Sequence, residues 1–230
     1  MLATIMSRAQ LRRAASGDDR RGDDRGLTVV ELVVSMGIFA AVIVVFMSAV
    51  ASMSTTTVRT QVASDATSAL RTVYQRLDKE VRFASEINPP ATVGGDYYVE
   101  YLVPESTGTG DPLCVQWRVD SSEAELQRRT WTPGDASSVS GWSTMVTDLR
   151  NDLSDPDQEP FVRHAAGIDG GVVYLRQSLA VYLDTGLGEE RDSEGGQLDV
   201  TFVANNTSTS SVTNGSTGDT VCLVGGVQRP

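Results

Sequence analysis

One carboxylate, Glu31, stands at the beginning of a long apolar stretch of this 230-residue chain. It lies five residues after Gly26, and it is the one charged residue between Gly26 and Arg59. A charged side chain inside a membrane costs about 2.5–3.5 kcal/mol even on lenient insertion scales, and such residues are usually paired and functional. The chemistry that the sequence offers here is therefore an ion pair, and the question is which cation Glu31 meets.

The stretch from Leu32 to Ala51 is long enough to cross a bilayer. It reads LVVSMGIFAAVIVVFMSAVA, and about 20 residues at 1.5 Å each form a helix of roughly 30 Å. Six arginines precede the stretch, whereas Arg59 alone lies close behind it. This asymmetry predicts an N-terminus in the cytoplasm and a C-terminal bulk outside.

Three interpretations of this stretch compete. A secretory signal peptide would be cleaved after Ala49-Val50-Ala51, which has the A-x-A pattern. A plain single-pass anchor would retain the stretch and carry Glu31 by chance. The apolar segment is long for a signal peptide, and neither interpretation explains the carboxylate.

The third interpretation rests on a short motif. Gly26, Leu27, Thr28, two aliphatic residues, Glu31 and Leu32 resemble the type III signal of type IV prepilins and type II secretion pseudopilins. The resemblance implies that a separate prepilin peptidase cleaves after Gly26 and that the new N-terminus, Leu27, is methylated. Family members often have Phe at the position of Leu27, where Leu is an accepted variant.

Cleavage after Gly26 would supply the missing cation. Leu27 would then carry an α-amino group, and Glu31 follows four residues later on the same helix face. Opposite charges in a low-dielectric layer gain much by pairing, and removing one leaves the other uncompensated. In the family, the glutamate of one subunit is thought to meet the amine of its neighbour, which sets the axial register of a filament.

Composition limits the remaining possibilities. The chain has a formal charge of −11; its leader through Gly26 holds six Arg and four Asp, so the mature part carries −13. This acidity argues against a nucleic-acid partner, which requires a basic surface. Beyond the leader and the span, about 180 residues remain, which is enough for one domain with a real core.

Behind the apolar stretch, the hydrophobic pattern indicates a second, amphipathic half of the same helix. Apolar residues recur in steps of three and four, typical of one helix face. They are Val58, Val62, Ala66, Ala69, Val73, Leu77, Val81, Ala84 and Ile87. Pro89-Pro90 would stop the helix, which predicts a single helix from Leu27 to about Asn88.

After the prolines the period changes to two, which predicts antiparallel strands with one buried face. The alternating segments lie around residues 97–103, 114–120, 175–183 and 198–202, with Leu175 placed on the buried side together with Leu179, Val181 and Leu183. Ser106 to Pro112 is predicted as a hairpin loop, and Asn205 to Gly218, rich in Ser, Thr, Asn and Gly, as a mobile segment. A long helix followed by successive strands indicates an α+β class with the helix on one sheet face.

This arrangement agrees with the pilin fold, and residues 70–82 resemble the helix of minor pseudopilins of the J type and PilW-like minor pilins. Cys114 and Cys222 both fall in the part predicted to be outside, where thiols tend to pair. Pilins often carry one disulfide that ties the C-terminal region to the sheet. A Cys114–Cys222 bridge is therefore expected, with two free buried thiols as the alternative.

The sequence offers little catalytic chemistry. His164 is the only histidine, and no local signature supports a nucleophilic pair with Cys114. The acidic stretches Asp155-Pro156-Asp157 and Glu189 to Glu194 contain oxygen ligands suited to calcium but no ordered ligand pattern. We therefore expect no enzymatic activity, no metal and no cofactor.

The sequence predicts a leader (1–26), a helix (27–88) that crosses the membrane at about 32–51, and a β-rich head outside the cytoplasmic membrane (89–230). The expected function is that of a minor pilin or pseudopilin, displayed in a pilus or pseudopilus at the cell surface. Expected partners are the prepilin peptidase, other pilins or pseudopilins, the inner-membrane assembly platform and membrane lipid. The alternative is a single-pass receptor or adhesin whose head binds an external ligand; the sequence leaves open whether the machine is a pilus, a secretion pseudopilus or a DNA-uptake system.

Overall fold

The computed structural model describes residues 26, 28–104, 110–186, 195–215 and 221–222. The predicted leader up to residue 25, and Leu27, lie outside the described residues. The chain divides into two compact units, Met1–Ala51 and Ser52–Pro230. One α-helix, α1 (Val29–Arg82), contributes residues to both units.

The described part of the first unit is the apolar beginning of α1. Every residue from 28 to 51 is exposed, and the large apolar side chains among them expose between 39% and 79% of their surface. By length and composition, α1 is the one helix among the described residues that is long and apolar enough to span a membrane. A helix that is apolar on all sides requires lipid or other helices around it.

The second unit contains two antiparallel sheets and a small hairpin. Within the described residues the larger sheet has six strands: β1 (Glu86–Ile87), β2 (Ala91–Val93), β3 (Asp96–Val103), β4 (Leu113–Asp120), β5 (Glu125–Trp131) and β6 (Ser143–Val146). The path runs β1-β3-β4-β5-β6, and β2 pairs with the other end of β3. The predicted succession of antiparallel strands behind a long helix is confirmed, and the class is α+β.

The smaller sheet follows in the chain. It is formed by β7 (Phe161–His164), β10 (Ser178–Gly186) and β11 (Gly195–Val203), with β10 in the middle, and β8 (Gly167–Asp169) pairs with β9 (Val172–Tyr174) in a separate hairpin. Leu149 lies in the segment that follows β6. It forms an antiparallel backbone bridge with Thr185 of β10. The neighbouring Arg150–Asp184 ion pair, 2.8 Å long and nearly buried, reinforces this junction.

The second half of α1 packs on the sheets through the predicted stripe. Its buried residues follow one another in steps of three and four: Ala66, Leu70, Val73, Leu77 and Val81. All of them except Ala66 share one core with residues of both sheets, among them Trp117 and Leu179. Val58, predicted to begin the stripe, is 55% exposed, so the contact starts later than the periodicity suggests.

The predicted end of the helix was wrong. The helix ends at Arg82, and Glu86–Ile87 forms a short strand in which Ile87 pairs with Tyr101 of β3. Ile87 is fully buried in this strand, and burial of an apolar residue does not by itself distinguish a helix from a strand. A spacing of three between Val81, Ala84 and Ile87 therefore fits a helix and a turn followed by a strand equally well.

Two strand predictions also require correction. Leu175 is 84% exposed and precedes β10, which begins at Ser178, so it does not share the buried side of that strand. The central strands were expected to bury only one face. Glu100 of β3 and Gln116 of β4 belong to the other face and are nevertheless buried. These two polar side chains remain inside because they bond to each other, from Gln116 Nε2 to Glu100 Oε1 over 2.6 Å.

The segment predicted to be mobile packs against the rest of the second unit through its described residues, 205–215. Thr213 is fully buried and donates its hydroxyl hydrogen to the Glu86 carboxylate over 2.6 Å. The buried Gln177 accepts from Ile87 N–H and donates to Thr213 and Asn214. The remainder of the predicted segment, 216–218, lies outside the described residues.

Truncating the stripe should destabilise the second unit. Leu77→Ala removes a fully buried side chain and should lower the free energy of unfolding by about 2–5 kcal/mol, because a cavity remains in the core. Gln75→Ala, on the exposed side of the same turn, is the matched control and should stay within about 0.5 kcal/mol of wild type. Denaturant unfolding of the detergent-solubilised protein measures both; equal stabilities would contradict this packing.

Candidate functional site

The N-terminal end of α1 holds the residues that the sequence singles out. Thr28 caps the helix: its Oγ1 accepts from the Glu31 backbone N–H at 3.2 Å, and its carbonyl accepts from Leu32 N–H at 3.0 Å. Threonine at the cap with glutamate three residues later is the capping-box pattern. Gly26, two residues before this cap, is exposed. The capping role was missed at the sequence level, although the T-x-x-E spacing carries the signal.

Glu31 occupies the first helical turn and is exposed. Within the described residues it takes part in no ion pair, and its helix neighbours Val30 and Leu32 are apolar. The helix N-terminus carries a partial positive charge, which favours a carboxylate at this position. Glu31 therefore places a carboxylate at the N-terminal end of the apolar part of α1, where a cation from another molecule can reach it. Its expected partner, the Leu27 amine, lies outside the described residues.

A second constellation fixes the helix to the larger sheet. The Glu80 carboxylate accepts from Tyr101 Oη and from Arg128 Nη2, each over 2.7 Å. Trp117 Nε1 in turn donates to Tyr101 Oη over 2.8 Å. Burial, reinforced by the Glu80 carboxylate, raises the pKa of Tyr101 well above its ordinary value. The phenol therefore remains a neutral donor to Glu80 at physiological pH.

The two cysteines meet near the beginning of β4, a central strand of this sheet. The sulfur atoms of Cys114 and Cys222 lie 2.04 Å apart, at the distance of a disulfide bond. Asn88 supports the same connection, since its amide donates to the Val221 carbonyl and accepts from the Val221 N–H, each over 3.0 Å. The side chain of Asn88 thus pairs with Val221 as a strand would. Nothing in the sequence pattern pointed to this role of Asn88.

The residues considered for chemistry have other contacts. Cys114 and His164 do not form a nucleophilic pair, because the Cys114 sulfur is bonded to Cys222 and the His164 ring stacks on Tyr174 with 4.7 Å between ring centroids. Asp155 caps a short 3₁₀ helix by accepting from the Asp157 N–H over 3.0 Å. No group of three or more His, Cys, Asp or Glu side chains suited to a metal occurs among the described residues. The acidic stretch 189–194 lies outside them.

Comparisons with known proteins add no family assignment. No protein-family model, curated protein or solved structure matches the chain significantly.

The disulfide should be detectable in the mature protein. Alkylation without reduction, followed by peptide mapping, should recover the Cys114 and Cys222 peptides as one cross-linked species. The closed loop spans 108 residues, and chain-entropy arguments assign such a loop about 4–5 kcal/mol. A reduced and alkylated sample is the control. Two alkylated cysteines in unreduced protein taken from the cell surface would contradict the bond.

Proposed function

We propose that this chain is a prepilin that matures into a minor pilin or pseudopilin, a structural subunit of a type IV pilus or a type II secretion pseudopilus. One observation carries the proposal: Glu31 lies in the first turn of the helix, is the one charged residue of its segment 29–51, and forms no ion pair within the described residues. Its position five residues after Gly26 matches the prepilin motif. An α+β head behind the helix is compatible with the pilin fold.

Processing is the first step of the proposed mechanism. A membrane-embedded prepilin peptidase cleaves the bond after Gly26, removes the arginine-rich leader and methylates the Leu27 nitrogen. Gly26 is exposed and precedes the helical cap at Thr28, which supports access of a peptidase to this residue. The peptidase performs this chemistry, and the chain itself has no enzymatic role.

Assembly then transfers the helix from lipid into a bundle of subunits. Before assembly the protein is a single-pass protein of the cytoplasmic membrane with its head outside. The assembly platform extracts the helix, and contacts with lipid are replaced by packing against other helices. Lipid tails and apolar side chains are about equally apolar, so packing and polar pairs decide the association.

The ion pair sets the position of each subunit. The methylated Leu27 nitrogen remains a cation, and Glu31 of the adjacent subunit provides the opposite charge. In an apolar bundle, either charge left alone is strongly unfavourable. Only registers that bring the two groups together are therefore accessible, and the subunit enters the filament at one height.

Substitution of Glu31 distinguishes this role from helix capping. Glu31→Gln keeps the capping-box pattern, which accepts Glu or Gln, but removes the charge. If the charge pairs with a neighbour, Glu31→Gln and Glu31→Val should both reach normal membrane levels and leader cleavage, yet be depleted in sheared filaments. Each buried charge left without its partner costs about 3–5 kcal/mol of free energy. The measurement is the ratio of filament-bound to membrane-bound protein.

Two results would contradict the proposal. Normal incorporation of both variants would remove the register role, as expected for a simple membrane anchor. A defect in Glu31→Val with normal incorporation of Glu31→Gln would assign Glu31 to capping alone. Thr28→Val serves as the control, because it removes the Oγ1 acceptor of the cap and leaves the charge of Glu31 in place.

A further inference from the structure

The solvent-facing side of the second half of α1 is basic. Arg71, Arg76 and Lys79 are exposed, and none of them forms an ion pair within the described residues. At 3.6 residues per turn, all three lie on the half of the helix opposite the buried stripe. Arg82 lies on the same side, but it is already paired with Asp78 over 2.6 Å. We refer to Arg71, Arg76 and Lys79 as the basic face.

The fold of the second unit does not account for the basic face. Arg76 and Lys79 are three residues apart, and like charges on neighbouring turns of a helix destabilise it. Glu80, four residues after Arg76, is bonded instead to Tyr101 and Arg128. In the part of the chain that the structure describes, no carboxylate offsets this repulsion by an ion pair. The basic face therefore suits a partner that carries negative charge.

The connection between β6 and β7 has the opposite charge. Residues 147–160 contain five carboxylates and one arginine, Arg150, which is paired with Asp184. Asp148, Asp157 and Glu159 are exposed, and none of the three forms an ion pair among the described residues. We refer to Asp148, Asp157 and Glu159 as the acidic loop.

Hydrogen bonds hold the backbone of the acidic loop in place. Asn151 donates from Nδ2 to the Gln158 carbonyl over 3.0 Å and to the Tyr182 carbonyl of β10 over 2.9 Å. The Asp152 N–H donates to Gln158 Oε1 over 3.1 Å. A loop that is ordered before binding loses less conformational entropy when a contact forms. The backbone that carries the three carboxylates is therefore already fixed for a partner.

The basic face and the acidic loop complement each other, yet they do not pair within one copy. No ion pair among the described residues joins them. A second copy of the chain presents the missing partner for each surface. Because the two surfaces differ, such a contact is heterologous and leaves one surface of each kind free on the pair. It can therefore repeat from copy to copy in an open array.

We propose that the basic face of one copy docks on the acidic loop of a second copy placed next to it in the assembly. The inference rests on the proposed function, which supplies the main attachment through the apolar helices. Ion pairs at an exposed surface are weak and are screened by salt. They contribute when another attachment keeps the two surfaces at a high effective concentration. Between mature chains of net charge −13, they also select the orientation that brings unlike charges together.

An anionic lipid surface is the less favoured occupant of the basic face. Basic segments bind such lipid when they directly adjoin a membrane span, and the attraction falls off within about one Debye length. Arg71 follows Ala51, the end of the predicted span, by twenty residues. Lipid would also leave the acidic loop without a partner. It predicts that variants of the basic face are depleted and that changes in the acidic loop do not restore them.

Charge reversal in the full-length chain tests both surfaces. Arg76→Glu with Lys79→Glu, and separately Asp157→Arg with Glu159→Arg, should reach normal membrane levels, because all four side chains are exposed. Recovery of each double variant in sheared filaments should fall by at least about threefold, since unlike pairs become like pairs. The combined variant keeps the net charge and should regain wild-type recovery. Asp199→Arg, at an exposed position of β11, is the control and should be recovered like wild type.

Zero-length cross-linking identifies the occupant, because Lys79 is the only lysine of the chain. A carbodiimide joins an amine to a carboxylate that it already contacts. Peptide mapping of wild-type filaments should show Lys79 joined to a carboxylate of the acidic loop of another copy. Mixing isotope-labelled and unlabelled chains distinguishes this product from an intrachain one. Lys79→Arg keeps the charge and should abolish the cross-link.

Three results would overturn the inference and leave the proposed function intact. They are normal recovery of the double variants, no restored recovery in the combined variant, and no Lys79 cross-link between copies. Absence of wild-type protein from every filament preparation would overturn the proposed function, and this inference with it.

Discussion

An apolar surface that surrounds a helix on every side cannot stay in water, and this constraint governs the chain. Residues 29–51 have large apolar side chains in all directions, with no core of their own to enter. By length and composition the segment can span a membrane, and any other environment for it must be about as apolar as lipid. A helix bundle of related segments also meets this condition, and the proposed function supplies one.

Within that apolar environment, a single charge becomes decisive. In water a surface ion pair contributes about 0–1 kcal/mol, but in a low-dielectric bundle an uncompensated charge costs several kcal/mol. Glu31 lies where the helix N-terminus already favours a carboxylate, and Thr28 holds the first turn in place. Under the proposed function, the same residue would both support the start of the helix and select the register in the assembly.

The head is held by polar contacts as much as by its core. Glu80 connects the helix to Tyr101 and Arg128, while Asn88 and the cysteine pair connect the C-terminal residues to the larger sheet. A buried or half-buried polar group that loses its partner raises the free energy of the folded state. These pairs therefore favour one arrangement of the helix, the sheet and the C-terminal residues.

The sequence was sufficient to predict the structural features that depend on hydrophobic periodicity and on composition. The stripe from Ala66 to Val81 and the alternating strands were readable because burial imposes a regular spacing. The cysteine pairing was expected from the predicted compartment and from the pilin resemblance, with free thiols as the alternative. The end of the helix at Arg82 was not readable, because the spacing of Val81, Ala84 and Ile87 suits two structures. The docking of Thr213 on Gln177 and Glu86 was hidden as well, since small polar residues look alike in a linker and in a buried network.

The central claim is that the chain is cut after Gly26, and the mass of the mature N-terminal peptide tests it most directly. Protein purified from membranes should yield a peptide that begins at Leu27 and carries one additional methyl group on its α-nitrogen. A matched sample from cells that lack the peptidase should retain the leader. A mature protein that begins at Ser52 would identify Ala49-Val50-Ala51 as a signal-peptidase site. That result, or an intact leader in wild-type cells, would contradict the account.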